Sequence, residues 1–311
     1  MMKRIKKVIF TLFLPLMAIG CSAQNDQEKE SKLKILSTTA QVHDLAAYIG
    51  GKRVEAKVLI RGDLDPHSYE IVKGDGEKLE NSHVIFYNGL GLEHGASLSS
   101  YLSSSNKSVA VGNEIQRLYP QLILKREGQI DPHIWMDISL WEKAIAPIVK
   151  TLSEKDPQGA EYYKLRGEDL SLKMLQAHKQ LYQRLQEIPE ERRYLVTSHD
   201  AFRYFTRSYL SIPEEPNWEE RFAAPEGLSP EGQLNPVDIQ NIIVFLQKKN
   251  LHVIFPESNV SRDAIRKIAS AGKELGLEVR ICSEALYGDA MGGFSYLEMM
   301  KKNGETLRNC L

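Results

Sequence analysis

Past its first thirty or so residues the chain alternates short apolar runs with amphipathic stretches. "LKILSTTA" (33–40) has a strand pattern, and "QVHDLAAYIGG" (41–51) reads as a helix closed by glycine. "RVEAKVLI" (53–60) alternates with period two, "HVIFYNG" (83–89) is an apolar strand and "SVAVG" (108–112) another. Strands separated by helical stretches predict right-handed βα units and a mainly parallel sheet. Such strands are covered on both faces, which accounts for their unbroken apolar runs.

The middle of the chain differs. From 156 to 187 no proline follows Pro157, and Tyr163, Leu165, Leu170, Leu172, Leu175, Leu181 and Leu185 recur at near-helical spacing. One helix of ~30 residues would be roughly 45 Å long, more than one small domain needs. After it the βα pattern restarts: "RYLVTSHD" (193–200), "LHVIFPES" (251–258) and "LEVRICSE" (277–284) as strands, with helices over 201–209, 235–250, 261–276 and 296–311. The expected fold class is therefore α/β: a lobe over 33–155, a linking helix over 156–188 and a second lobe over 189–311. Open sheets of this kind place ligands beyond the carboxyl ends of their strands, here in a cleft between the halves.

Composition narrows the function. The 311 residues carry 40 basic and 41 acidic side chains, a net charge of −1, so no basic surplus argues for nucleic acid. The amino terminus has Lys3, Arg4, Lys6 and Lys7 before an apolar stretch over 8–19, too short to span a bilayer, which needs ~20 residues. This is a secretory signal. It ends in "AIGC", which resembles the bacterial lipobox, with Ala18 where Leu is usual; Cys21 is then the lipid acceptor that closes a 1–21 signal. The polar stretch 22–32 reads as a flexible tether. The expected location is the bacterial cell envelope, periplasmic or on the outer face of the membrane. Two cysteines remain, Cys282 and Cys310. Nothing in their spacing demands a pair, and Cys282 reads as a buried strand thiol.

The candidate chemistry lies in histidines. "LDPHSYE" and "DPHIWMD" both spell Asp-Pro-His, and "VTSHDAF" adds a third histidine just after a strand pattern. His67, His133 and His199 thus sit where the chain leaves the sheet for the cleft. Proline stiffens the backbone just before the imidazole. The preceding Asp65 or Asp131 can accept from local N–H groups or from the ring, as carboxylates behind metal-bound histidines do. His43, His83, His94, His178 and His252 read as ordinary packed or solvated histidines. Three carboxylates near strand ends of the second half, Glu257, Glu284 and Asp289, are open as a fourth donor on the residues alone.

Seven stretches, "LDPHSYE", "VIFYNGLGLE", "DPHIWMD", "LVTSHDAFRYF", "GLSPEGQLNP", "VIFPESNVS" and "EALYGDAMG", occur in an order that resembles the TroA-like solute-binding lipoproteins of bacterial zinc and manganese ABC transporters. The resemblance runs from Leu33 to Leu311. It implies two α/β lobes, a rigid linking helix and one buried metal between them, held by His67, His133, His199 and Asp289. Asp65, Asp131, Asp200, Glu257 and Glu284 are candidates for the surrounding layer that orients those ligands. It also implies a monomeric receptor, anchored to the membrane by its lipid, that hands Zn²⁺ or Mn²⁺ to the transmembrane permease subunit. Three imidazoles and a carboxylate suit zinc, while a carboxylate able to bind through both oxygens serves manganese. The segment before His133 lacks the His- and acid-rich loop that zinc-specific members often carry. The competing class is a zinc-dependent hydrolase with an open metal position.

Overall fold

The computed structural model describes residues 32–230 and 235–311. The signal, the lipid acceptor Cys21 and the tether up to residue 31 lie outside the described residues. Among the described residues, no helix is long and apolar enough to cross a membrane.

The first half follows the alternation of its sequence. Strands β1 (Leu33–Ser37), β2 (Val54–Val58), β3 (Val84–Tyr87) and β4 (Ser108–Ala110) form one all-parallel sheet in the order β2-β1-β3-β4. Ile35 pairs with both Ala56 and Val84. Helix α1 (Ala40–Gly50) connects β1 to β2, with Thr39 as its N-cap. Its buried face, Val42, Leu45, Ala46 and Ile49, packs on the sheet. Helices α2 (Asp75–Asn81) and α3 (Ala96–Ser104) flank β3, and α4 (Val111–Leu118) starts where β4 ends. The expected strand over 108–112 is thus cut short by a helix. A two-strand hairpin, β5 (Lys125–Arg126) and β6 (Gln129–Ile130), leads into the second Asp-Pro-His. Helices α5 (Ile138–Trp141) and α6 (Ile145–Lys155) complete this half.

Helix α7 (Ala160–Gln186) has 27 residues, about 40 Å at 1.5 Å per residue. Its first turn is a separate 3₁₀ segment, Pro157–Gly159, where the Asp156 side chain accepts from Gly159 N. Tyr163, Leu170, Leu181 and Leu185 are buried, but Leu165, Leu172 and Leu175 are exposed by 56, 71 and 45%. The helix is therefore covered along one stripe rather than enclosed. Gly167 lets α6 approach: a Cβ there would lie 2.8 Å from Val149 Cγ2.

The second half has shorter strands than its apolar runs predict. β7 (Leu195–Val196) pairs in parallel with β8 (Phe222–Ala223), and β9 (Val253–Ile254) with β10 (Arg280–Ile281). A bond from Phe255 N to Val196 O joins the two pairs. The segment after β7 is a short helical turn, α8 (Arg203–Phe205), continued by a π-type turn over Thr206–Leu210. Helices α9 (Pro236–Lys248) and α10 (Asp263–Glu274) cover this sheet, and α11 (Tyr296–Cys310) closes the chain against α7. One apolar cluster runs from Ile35 through Trp135 and Leu170 to Met299, so both halves share a continuous core with α7.

The cysteine expectation needs correction. Cys282 is not a thiol: it forms a disulfide with Cys310, which joins the chain just past β10 to the end of α11. Spacing could not reveal this, because the pairing depends on α11 folding back beside the second sheet.

Candidate metal centre

The two Asp-Pro-His stretches use one local device. Asp65 Oδ1 accepts from His67 N at 2.9 Å, and Asp131 Oδ1 accepts from His133 N at 3.0 Å. Each aspartate thus bends the chain around its proline and fixes the histidine two residues on. Asp131 goes further and takes the His133 ring at Nδ1, 2.8 Å away. Asp65 instead takes the Ser68 hydroxyl at 2.7 Å. The His67 carbonyl accepts from His94 N and Gly95 N, at 3.2 and 3.0 Å. Gly95 is needed there, since a Cβ would meet Tyr69 O at 2.1 Å.

His199 follows β7 and is held by Glu257, which follows β9. Glu257 Oε1 accepts from Ser198 N and His199 N, at 3.0 and 2.8 Å, while Oε2 lies 2.7 Å from His199 Nδ1. Asp289 comes from the loop after β10. That loop is gripped from the first half: Gln41 Nε2 donates to Asp289 O at 2.8 Å, and Trp135 Nε1 donates to Gly288 O at 2.9 Å. From α11, Asn303 holds both N and O of Tyr287.

These elements bring His67, His133, His199 and Asp289 together. One ligand-capable atom from each lies within 4.8 Å of all the others, and all four side chains are buried. His67 Nε2 lies 3.3 Å from His133 Nε2 and 3.6 Å from Asp289 Oδ2. Asp289 is 3.5 Å from His133 Nε2 and 3.2 Å from His199 Nε2. A four-coordinate ion with bonds of about 2.1 Å spaces its donors by about 3.4 Å, so these atoms have the spacing of a coordination shell. Nδ1 of His133 and of His199 face carboxylates, which leaves Nε2 of both as the inward atom. Asp289 Oδ1 has no hydrogen-bond partner among the described residues.

The electrostatics are those of a site that needs a cation. Burial drives the His67 imidazole down to about 3, against the pull of Asp289. His199 goes the other way: burial would lower it, but Glu257 and Asp289 hold it well above the usual histidine range. Asp289 is itself held well below the usual carboxylate range, because His199, His67 and His133 outweigh its burial.

The remaining candidates separate. Glu284 is exposed and pairs with Lys302 at 2.8 Å and with Thr306 at 3.2 Å, outside the cluster. Asp200 turns to Arg126 of the β5–β6 hairpin; burial and the neighbouring Asp131 push it up to about 6. His178 packs its ring at a tilt against Tyr209 and meets its hydroxyl at 3.0 Å, with its side chain 28% exposed. Sequence reasoning missed Gln41, Trp135 and Arg126, whose types carry no metal signal. His94, read as an ordinary histidine, lies with its ring 5.6 Å from that of His67 and is not among the four clustered donors.

Residues 35–310 match the family model of the periplasmic component A of zinc-uptake complexes, ZnuA. The chain belongs to this family. Among ZnuA-family relatives, the manganese-binding lipoprotein MntA of Bacillus subtilis is 32% identical over 90% of this chain and 89% of its own length. Fe(III)-bound YtgA from Chlamydia trachomatis superposes with a TM-score of 0.85 at 37% identity, over 89% of this chain and 97% of that one. The periplasmic zinc-binding protein TroA of Treponema pallidum does so at 0.81 and 28%, over 90% and 99%. The fold is accordingly that of the ZnuA family: two parallel βα lobes joined by a long helix.

Proposed function

We propose that this protein is the extracytoplasmic receptor of a metal ABC importer, taking one divalent transition-metal ion as cargo on His67, His133, His199 and Asp289. The observation that carries this is the buried set of donor atoms within 4.8 Å of one another, in a chain of the zinc-uptake family. Zinc and manganese are the cargoes the donor set suits, and relatives named for each support both. Iron enters as a third candidate through the Fe(III)-bound relative. The Irving–Williams order favours zinc over manganese at such N/O sites, so affinity alone does not fix the cargo.

His67 and His133 come from the lobe we assign to 33–155, and His199 and Asp289 from the lobe we assign to 189–311, so a bound ion ties the two together. The shared core with the 156–188 segment resists wide hinge opening, and release to the permease is then a matter of local loop movement. Asp289 takes the position a catalytic water needs on a three-ligand zinc, which favours a receptor over an enzyme. Anchoring through a lipid on Cys21 and a monomeric state complete the proposal; both suit a receptor that must meet its permease at the membrane.

The test is metal content. Protein purified from its native envelope should carry about one equivalent of a transition metal by elemental analysis. His67→Ala and Asp289→Ala prepared in matched media should lose it. Full occupancy in both variants would overturn the ligand assignment.

A further inference from the structure

The β5–β6 hairpin belongs to the first half of the chain, yet the second half holds it. The Tyr204 hydroxyl of α8 accepts from Leu124 N at 2.8 Å and donates to Asp131 O at 3.1 Å, and Arg207 of the π-type turn donates to Leu122 O at 3.1 Å. Within this strap Arg126 pairs with Asp200, the residue after His199. We propose that Arg126 is a positioning residue for the cargo: its ion pair with Asp200 locks the segment that delivers His133 to the segment that delivers His199, and so sets how slowly a divalent transition-metal ion leaves. This rests on the metal-receptor function proposed above and adds a control on release.

Three observations support it. The first is what the pair joins. Asp131 holds the backbone and ring of His133, and Asp200 is bonded in sequence to His199. Both carboxylates are buried, at 0 and 1% exposure, and Asp131 Oδ2 and Asp200 Oδ1 have no hydrogen-bond partner among the described residues. Burial and the Asp131 charge push Asp200 up, while Arg126 and Arg203 pull it back. Of these two cations Arg126 makes the direct contact, whereas Arg203 bonds to Glu219. Without Arg126, two buried like charges from opposite halves would face each other across the junction. The second observation is that the hairpin is stiff. Arg126 pairs with Gln129 across a two-residue turn, with Glu127 at φ +51° and Gly128 at +85°, and Asp131 N donates to Leu124 O at 3.0 Å. A hold on Arg126 therefore reaches Asp131 and His133 without slack. The third is that Asp200 is anchored in its own half, where its N–H donates to Gly227 O at 3.0 Å. The ion pair thus connects two fixed points. The Arg126 side chain is 31% exposed, so water can reach the pair and open it while the hairpin stays folded.

The experiment is release of Zn²⁺ from the full chain at neutral pH, followed by a colour-forming chelator in excess. Arg126→Gln should speed dissociation by about ten-fold or more, because a contact that holds the loaded state closed is gone. Asp200→Asn breaks the same pair from the other side and should also speed release. The double variant should release no faster than the faster single one, since both changes remove one interaction. Arg126→Lys keeps the cation and should fall between Arg126→Gln and the unaltered chain. Unchanged dissociation in Arg126→Gln would overturn the proposal even if the melting temperature fell, because Arg126 would then serve the fold alone. So would rates that multiply in the double variant, which would mean that Arg126 and Asp200 act separately. Failure of the unaltered chain to bind Zn²⁺ would remove the receptor function itself, an outcome separate from any rate effect. Melting curves of the metal-free variants exclude misfolding as the cause, and Arg126→Lys against the unaltered chain decides the matter should Arg126→Gln not fold.

Discussion

Glu257 Oε2 lies 2.7 Å from His199 Nδ1, while its other oxygen accepts from the backbone N–H groups of Ser198 and His199. One carboxylate thus fixes the position, the ring orientation and the tautomer of a metal-facing histidine. Glu257→Gln keeps the shape but removes the charge that favours a metal-bound ring. Metal affinity should fall roughly 10- to 100-fold, as is usual when a carboxylate behind a histidine ligand is lost. Competition against a chelator of known affinity measures this, and unchanged affinity would show that Glu257 only shapes the loop.

His199 makes metal binding a proton exchange. In the metal-free protein its pKa lies well above the ordinary value of about 6.5. Its charge therefore stabilises the metal-free fold fully below about pH 6.5, and this contribution is lost as pH rises through the raised pKa. A metal must displace that proton, whereas His67, at about 3, stays neutral through the whole range. Binding near pH 7 should release about one proton per ion from His199, and the metal-induced rise in melting temperature should grow from pH 5 to pH 8. Calorimetry in two buffers of different ionisation enthalpy counts the protons. A heat independent of buffer would contradict the charged state of His199.

The legible parts of the site were those set by local chemistry. Asp-Pro-His is a self-contained device, so His67 and His133 could be read from the sequence, and the strand-to-loop position of His199 was visible in "LVTSHD". Residue types alone left Glu257, Glu284 and Asp289 open; the family pattern pointed to Asp289. What separates them in space is long-range: Glu284 faces Lys302, Glu257 faces His199, and the Asp289 loop is clasped by Gln41, some 248 residues away in sequence. The sheet of the first half was readable because each run there contributes a strand of three to five residues to one parallel sheet, although the run at 108–112 gives way to a helix after Ala110. In the second half the apolar runs at 193–200 and 251–258 exceed their strands, because much of each run leaves the sheet to deliver His199 and Glu257.

The ligand assignment predicts unequal costs for two buried or half-buried histidines. His67→Ala and Asp289→Ala should each weaken metal binding by about 3 kcal/mol or more, roughly 100-fold in Kd. His178→Ala loses its contacts with the Tyr209 ring and hydroxyl and with the Asp137 carboxylate, a stability effect of about 1 kcal/mol, with metal affinity unchanged. Isothermal titration and urea unfolding on the same three variants separate the effects. Equal losses of affinity in all three would mean that the assay reads stability and not coordination.

Asp289 lies inside the 28-residue interval closed by the Cys282–Cys310 disulfide. Replacing both cysteines by serine frees that interval in the unfolded chain, which should cost about 3–4 kcal/mol of stability on the chain-entropy view. The loop keeps its other holds, from Asn303 on Tyr287 and from Gln41 on Asp289, so the double variant should still fold and still bind. Saturating metal then acts by mass action on the folded state: at 100 times Kd it returns about 2.7 kcal/mol, most of the loss. Urea midpoints of the double variant with and without Zn²⁺ test both halves. An unshifted midpoint without metal would argue that the pair adds nothing to this fold. A shift that metal fails to reverse would mean that the disulfide itself holds Asp289 in place.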